Sequence, residues 1–344
     1  MHLTAEDRSR VLNAIAVVVV NVIFAGGASA QSPTAEEPPE TPDPLGTHYA
    51  TGLKLMSTAE TRGLPELPTF RAFLPETADL SSRFPLPGDQ GGLGSCASWA
   101  VGYAARSYYT STIEGKKLIP ATIVSPSYLF NRARSGSCEN GSSLSANVYA
   151  LKDGAVSLAQ HPYADKCETI LPEEIGRATN FKVQGLSRLD ATKIDDVKGR
   201  LAQGEPVILS LQVLPSFENY RGGVYELSST SSEAANHGVV AIGYDDRRQA
   251  LHIINSWGRK WGERGFMWLS YDAYAKMAEE AVVLHVAGFK PSPPVQPIDT
   301  SELSQLIAEI NTRTCANLTF HQDGKQSSYP DLLAATWTSN AWRT

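Results

Sequence analysis

With 344 residues the chain has ample length for two cores. Its net charge of −6, from 30 Lys+Arg against 36 Asp+Glu, argues against a nucleic-acid partner and against a basic membrane-binding face. Four cysteines (Cys96, Cys138, Cys167 and Cys315) lack the Cys-x-x-Cys spacing of a metal site, and no histidine stands at ligand spacing, so neither a metal nor a cofactor is expected.

In chain order, Arg8 and Arg10 precede an almost wholly apolar run from Val11 to Phe24, and Ala28-Ser29-Ala30 follows with small residues. That layout predicts a signal peptide over 1–30, cut after Ala30, and a secreted or periplasmic protein. The apolar run is shorter than the roughly 20 residues needed to span a bilayer, so no stable membrane insertion is expected after cleavage. Gln31 to Leu45 is rich in Pro, Glu and Thr without apolar periodicity, a linker composition. Leu53, Leu55, Met56, Leu64, Leu67, Phe70 and Phe73 then supply apolar surface within 47–73, read as an arm tied to the surface of the following domain.

Gln90-Gly91-Gly92-Leu93-Gly94-Ser95-Cys96 places a cysteine straight after a glycine-rich turn. From there Ala97, Ala100, Val101, Ala104, Ala105 and Tyr108 recur at three- and four-residue spacing, which predicts a buried helical face. A helix N-terminus carries partial positive charge and free N–H groups, so it favours thiolate and makes Cys96 a candidate nucleophile. The glycines are not a phosphate loop, because the Lys-Ser/Thr of that motif is missing. Further helix starts are read at Ser125-Pro126 and at Ser142-Ser143, the latter closing at Gly154.

From 205 to 290 short apolar runs dominate, among them Val207-Ile208-Leu209 and Phe266-Met267-Trp268-Leu269. Helices first and strands later predict an α+β chain. Asn236-His237-Gly238-Val239-Val240-Ala241-Ile242-Gly243-Tyr244, a polar turn at 245–249, and Leu251-His252-Ile253-Ile254 read as a β-hairpin. The hairpin sets His237 at the start of one strand and Asn255 at the end of its neighbour. An amide there can accept from one ring nitrogen and leave the other to the thiol, which is nucleophile–base–orienter logic. His252 and His285 read as structural.

These residues resemble those of the papain-like cysteine peptidases. Gln90 stands six residues before Cys96, as in the family's first block, and Asn236-His237 with the following apolar run is similar to its histidine block. Asn255-Ser256-Trp257-Gly258 with Trp261-Gly262 resembles its asparagine block, and Tyr220 to Tyr225 its preceding strand. Leu93 replaces the family's cysteine three residues before the nucleophile, and Ala97 replaces its tryptophan, features that look like the bacterial branch. The resemblance spans about 74–290 and implies a papain-like two-lobe fold, a helical lobe facing a β-barrel-like lobe across a cleft.

The resemblance also implies roles. Cys96, His237 and Asn255 would be catalytic, and Gln90 would donate to an oxyanion. Trp257 would shield the Asn–His bond and line the leaving-group side, while Asn236 and Gly141 would border the substrate. It implies a Cys138–Cys167 disulfide, with Cys138–Cys315 left open, and a zymogen. Residues 31–73 therefore have a second reading, a pro-segment through the cleft removed by cutting near 74–79. The expected activity is hydrolysis of peptide bonds through a thioester, with endopeptidase action because no inserted His-His loop is seen. The partners would be a peptide or protein substrate and a proteinaceous inhibitor. A transferase on the same scaffold and an inactive peptide-binding relative are the alternatives. Residues 291–344 read as a Pro-rich linker and a small extension with a short helix near 299–310.

Overall fold

The computed structural model describes residues 41–227 and 234–294. The predicted signal peptide, most of the predicted linker, the extension from residue 295 on and Cys315 lie outside the described residues.

Glycine, serine and proline set the helix boundaries where the sequence places them. The helix Pro126–Ala133 is capped by Ser125 Oγ, which accepts from Tyr128 N at 3.1 Å, and has Pro126 in its first turn. Leu144–Asp153 is capped in the same way by Ser143 Oγ on Ala146 N. The helical run that begins at Cys96 has three parts: an α-turn Cys96–Ser98, a π-helix Trp99–Arg106, and an α-helix Ser107–Glu114. The periodicity predicts an uninterrupted helix. The local cause of the wider turn is Ser107, whose hydroxyl donates to Gly102 O five residues back and accepts from Val124 N.

The strands form one eight-stranded sheet. In chain order they are β2 (Thr77–Asp79), β4 (Gly185–Leu189), β5 (Val207–Val213), β6 (Val224–Tyr225), β7 (Ala235–Asp245), β8 (Ala250–Ile254), β9 (Phe266–Ser270) and β10 (Ala278–His285). Their spatial order is β4-β10-β5-β7-β8-β9-β6, with β2 on β7. Two further strands, β1 (Leu53–Lys54) and β3 (Ser142–Ser143), pair in parallel as a separate ribbon.

Side chains alternate along the strands and so split the interior in two. Ile208, Val240, Ile242, Val282 and Leu284 pack with the helices around Tyr109, Tyr128, Leu129 and Leu144. Leu209, Leu211, Val239, Ala241, Leu251, Ile253 and Val283 face the opposite way, onto Trp257, Trp261 and Tyr274. This is the α+β arrangement, helices against one face and an aromatic-rich core behind the other. A disulfide joins Cys138 to Cys167, with a Cα–Cα distance of 5.6 Å.

Residues 65–79 belong to this framework rather than to a detachable arm. Pro65 and Leu67 exchange backbone hydrogen bonds with Arg188 of β4, Phe70 N donates to Asp196, and Thr77–Asp79 pairs with β7.

Leu129 is fully buried, and a methyl group on Gly102 would come within 2.6 Å of its Cδ2. Leu129→Ala is therefore expected to lower the unfolding free energy by about 2–5 kcal/mol. In a Gly102→Ala background the added methyl fills part of the hole, so the same substitution should cost less. Urea midpoints of the four-member cycle check this.

Candidate active site

Cys96 opens the helical run, and the turn before it is stitched to the Ser256–Gly258 segment. Gln90 N donates to Ser256 O at 2.8 Å and Gly258 N to Gly88 O at 2.9 Å. Asp165 Oδ2 accepts from Gly92 N, and Tyr163 Oη donates to Gln90 O while bonding Ser95 Oγ. The nucleophile's position is thus held from both the helical layer and the sheet.

His237 and Asn255 meet across the β7–β8 ladder. Asn255 Oδ1 lies 2.7 Å from His237 Nε2 and also accepts from Ser256 N at 2.8 Å. Since the Ser256 N–H can only donate, it fixes which amide atom is oxygen, and Nε2 must then carry the ring hydrogen. Nδ1 is left with its lone pair, buried and without a hydrogen-bond partner. Trp257 stacks on the imidazole at 4.4 Å between centroids, with the planes 28° apart, which keeps water from the Asn–His bond. Gly238, the next residue along β7, directs its N–H at the Cys96 sulfur.

The cleft is occupied by the chain's own N-terminal arm. Tyr49 stacks on the outer part of Trp257 at 4.8 Å, and its hydroxyl donates to Asp43. Ala50 O accepts from Gln90 Nε2 at 3.0 Å and from Trp257 Nε1 at 2.9 Å. Leu53 N points at the Cys96 sulfur, and Leu53–Lys54 runs beside Ser142–Ser143 as the β1–β3 ribbon. Met56 N donates to Glu280 at 2.6 Å. The earlier residues are held by the 218–221 region: Gly46 N donates to Asn219 Oδ1, and Arg221 to the carbonyls of Asp43 and Pro44. The arm therefore lies against the residues around Cys96, Gln90 and Trp257.

Close approach of backbones makes this crossing possible. Gly52 has φ +142°, and a Cβ there would stand 2.5 Å from Gly94 O. Gly141, at φ +62°, faces it so tightly that a Cβ would run into the Gly52 carbonyl. Gly141 thus borders the bound segment, Trp257 contacts it, and Asn236 sits at the half-buried end of β7 opposite Gln212.

Burial reverses the ionisation that the helix terminus favours. The Cys96 thiol is pushed up to about 11 by loss of solvent, against the smaller opposing pull of the N–H groups of Gly238, Ala97, Leu53 and Cys96 itself. His237 is pushed down to about 4 by the same burial, with the Asn255 hydrogen bond acting in the opposite sense. Both groups are therefore neutral near pH 7 while the arm is in place.

Ser256 is the functional residue that sequence reasoning passes over. Its hydroxyl donates to Gln90 Oε1 at 2.6 Å while its N–H orients Asn255, so one residue positions both amides. The block containing it marks the stretch, but a hydroxyl between Asn and Trp carries no signal of this double role. Among the described residues no cluster of three or more His, Cys, Asp or Glu is arranged to hold a metal.

Gly52→Ala is expected to lift the arm without touching the catalytic groups. Alkylation of Cys96 in the full chain at pH 7 should then rise at least about tenfold over the wild type, as the sulfur regains solvent and thiolate. Mass-mapped iodoacetamide labelling measures the ratio.

Comparison with known proteins agrees with this geometry. The model described as papain family cysteine protease matches residues 74–285. The thiol protease aleurain of Arabidopsis thaliana is 32% identical over 186 residues, 52% of this chain and 50% of that protein. Cathepsin K of Gallus gallus is 29% identical over 187 residues, covering 53% and 54%. The chain spans about half the length of these curated relatives. In fold it resembles xylellain, a cysteine protease from Xylella fastidiosa, with a TM-score of 0.61 and 22% identity over 74% of this chain and 100% of the other. It also resembles digestive procathepsin L2 from the Tenebrio molitor larval midgut, with a TM-score of 0.61 and 16% identity over 83% and 95%. The fold is papain-like, and the chain belongs to the papain family of cysteine proteases.

Proposed function

We propose that this chain is the precursor of an exported cysteine endopeptidase, held shut by its own residues 43–56. The observation that carries the reading is the double hydrogen bond from Gln90 Nε2 and Trp257 Nε1 to Ala50 O, with Leu53 N at the nucleophile. A carbonyl oxygen already occupies Gln90 Nε2, the side-chain donor that a substrate's oxyanion would use, and the arm lies where a substrate would.

Once the arm leaves, water returns to the groove and a proton passes from Cys96 to His237 Nδ1. The thiolate attacks the peptide carbonyl, and the carbonyl oxygen takes the place of Ala50 O at Gln90 Nε2 and accepts from the Cys96 N–H as well. The imidazolium, held in orientation by Asn255, delivers its proton to the leaving amine. Water, deprotonated by the now neutral imidazole, then hydrolyses the thioester and restores the pair. Substrates are peptides or proteins, and a proteinaceous inhibitor would bind the same groove.

Endopeptidase action is supported by the length of chain the groove holds, from Gly46 on Asn219 to Met56 on Glu280. A leader at 1–30 and a disulfide at Cys138–Cys167 support export to an oxidising compartment. The pro-form state of the similar Tenebrio molitor structure supports a zymogen.

An epoxide inhibitor of the E-64 type, present in the similar Carica candamarcensis protease structure, is the probe. Labelling should be slow on the intact chain, fast after the arm is cut by limited proteolysis, and confined to Cys96. Cys96→Ala should abolish both labelling and cleavage of a peptide library, and Asn255→Ala should lower kcat by more than about tenfold. Undiminished cleavage by Cys96→Ala contradicts the reading.

A further inference from the structure

Three of the five residues between Gln90 and Cys96 are glycines, Gly91, Gly92 and Gly94, with φ +57° at Gly91. Such a link has little stiffness of its own, because glycine restricts the backbone least. It nevertheless joins the two groups proposed to hold a substrate's oxyanion, Gln90 Nε2 and the Cys96 N–H. Their separation must therefore be fixed from outside the loop.

One side chain reaches both ends. Tyr163 Oη lies 2.7 Å from Gln90 O and 2.9 Å from the Oγ of Ser95, the residue before the nucleophile. A carbonyl can only accept, so the single phenolic hydrogen points to Gln90 O, and Ser95 Oγ must donate to Tyr163 Oη. The result is a strut of two hydrogen bonds, Ser95 to Tyr163 to Gln90, across the mouth of the loop. The tyrosine is itself anchored. Trp99 meets its ring edge-on at 4.9 Å between centroids, and Asp165, two residues on, holds Gly92 N at 2.8 Å. Ser125 Oγ donates to His161 O, and the His161 ring lies 2.9 Å from Glu174 and 3.1 Å from Glu168. Beyond Tyr163, Cys167 is joined to Cys138.

We propose that Tyr163 is a positioning residue for the peptidase reaction, its hydroxyl setting the distance between the two oxyanion donors. Ser256 fixes the Gln90 amide at its tip, and Tyr163 fixes the backbone from which that amide springs. Without the hydroxyl, the Gln90 carbonyl keeps Leu93 N at 3.4 Å, and Ser95 Oγ keeps Leu93 O at 3.4 Å. Both of those partners lie inside the glycine-rich loop, so neither ties it to the 161–168 segment. An oxyanion donor is worth about 100- to 1000-fold in rate, and it must be held within about 0.5 Å of its working place. Loosening it forfeits part of that factor. The strut acts on the donors and not on the Cys96–His237 pair, so thiolate formation is unaffected.

The inference rests on the peptidase reading, and the test separates the two. The full chain, its arm cut by limited proteolysis, is measured as wild type, Tyr163→Phe, Ser95→Ala and the double variant. Tyr163→Phe should lower kcat about 5- to 50-fold and leave KM within about threefold. A peptide aldehyde, whose adduct with Cys96 puts an oxygen between the same donors, should lose affinity by the same factor. Alkylation of Cys96 by iodoacetamide needs thiolate and no oxyanion, so its rate and pH profile should stay within about twofold. The double variant should be no slower than Tyr163→Phe, since both changes break one strut. Alkylation that falls together with kcat means general damage, and unchanged kcat and aldehyde affinity mean an idle contact; either overturns the strut alone. So does a double variant whose loss is the product of the two single losses. Alkylation of the wild type without cleavage of any peptide overturns the peptidase reading and the strut with it.

Discussion

Burying a thiol and an imidazole together leaves them a single comfortable state, the one with neither charged. The arm imposes that state by removing water, and everything else about the site follows from whether the arm is present. Between covered and open forms no proton need be gained or lost, because the ring proton of the imidazolium simply returns to sulfur. Only its location changes, and with it the nucleophilicity of Cys96. On the proposed reading, inhibition by the arm is a matter of solvation as much as of obstruction.

The covered geometry is already close to what catalysis would require. Ser256 locks the Gln90 and Asn255 amides, Trp257 roofs the imidazole, and Gly238 N–H rests on the sulfur. None of these contacts involves the arm, whereas His237 Nδ1 has no partner in the covered form and still has to meet the Cys96 sulfur. The arm's Ala50 carbonyl accepts from Gln90 and Trp257, and its Leu53 N–H donates toward the Cys96 sulfur. Farther along the groove, Met56 N donates to Glu280.

The hairpin carrying His237 and Asn255 was legible because period-two apolar runs bracket a polar turn, and pairing in antiparallel register then dictates which residues face each other. The helix starts at Ser125 and Ser143 were legible from capping chemistry, and the Cys138–Cys167 pairing followed from family resemblance. The π-turn was not, since it depends on the Ser107 hydroxyl meeting both Gly102 O and Val124 N, a tertiary contact. Nor was the arm's path. His48-Tyr49-Ala50-Thr51-Gly52-Leu53 has no period, and its crossing is decided by three glycine backbones, Gly52, Gly94 and Gly141, distant in sequence. Glu280 sits in Ala-Glu-Glu-Ala-Val-Val, where only a bulge against β5 tells which acid turns inward.

The account stands most directly on the ionisation of one atom. Thiolate absorbance of Cys96, taken as the difference between wild type and Cys96→Ala across pH, reports it before and after the arm is cut. The account predicts a transition near 11 in the intact chain and thiolate already present well below pH 7 once the arm is released. A thiolate signal at neutral pH in the intact chain, unchanged by cutting the arm, would contradict it.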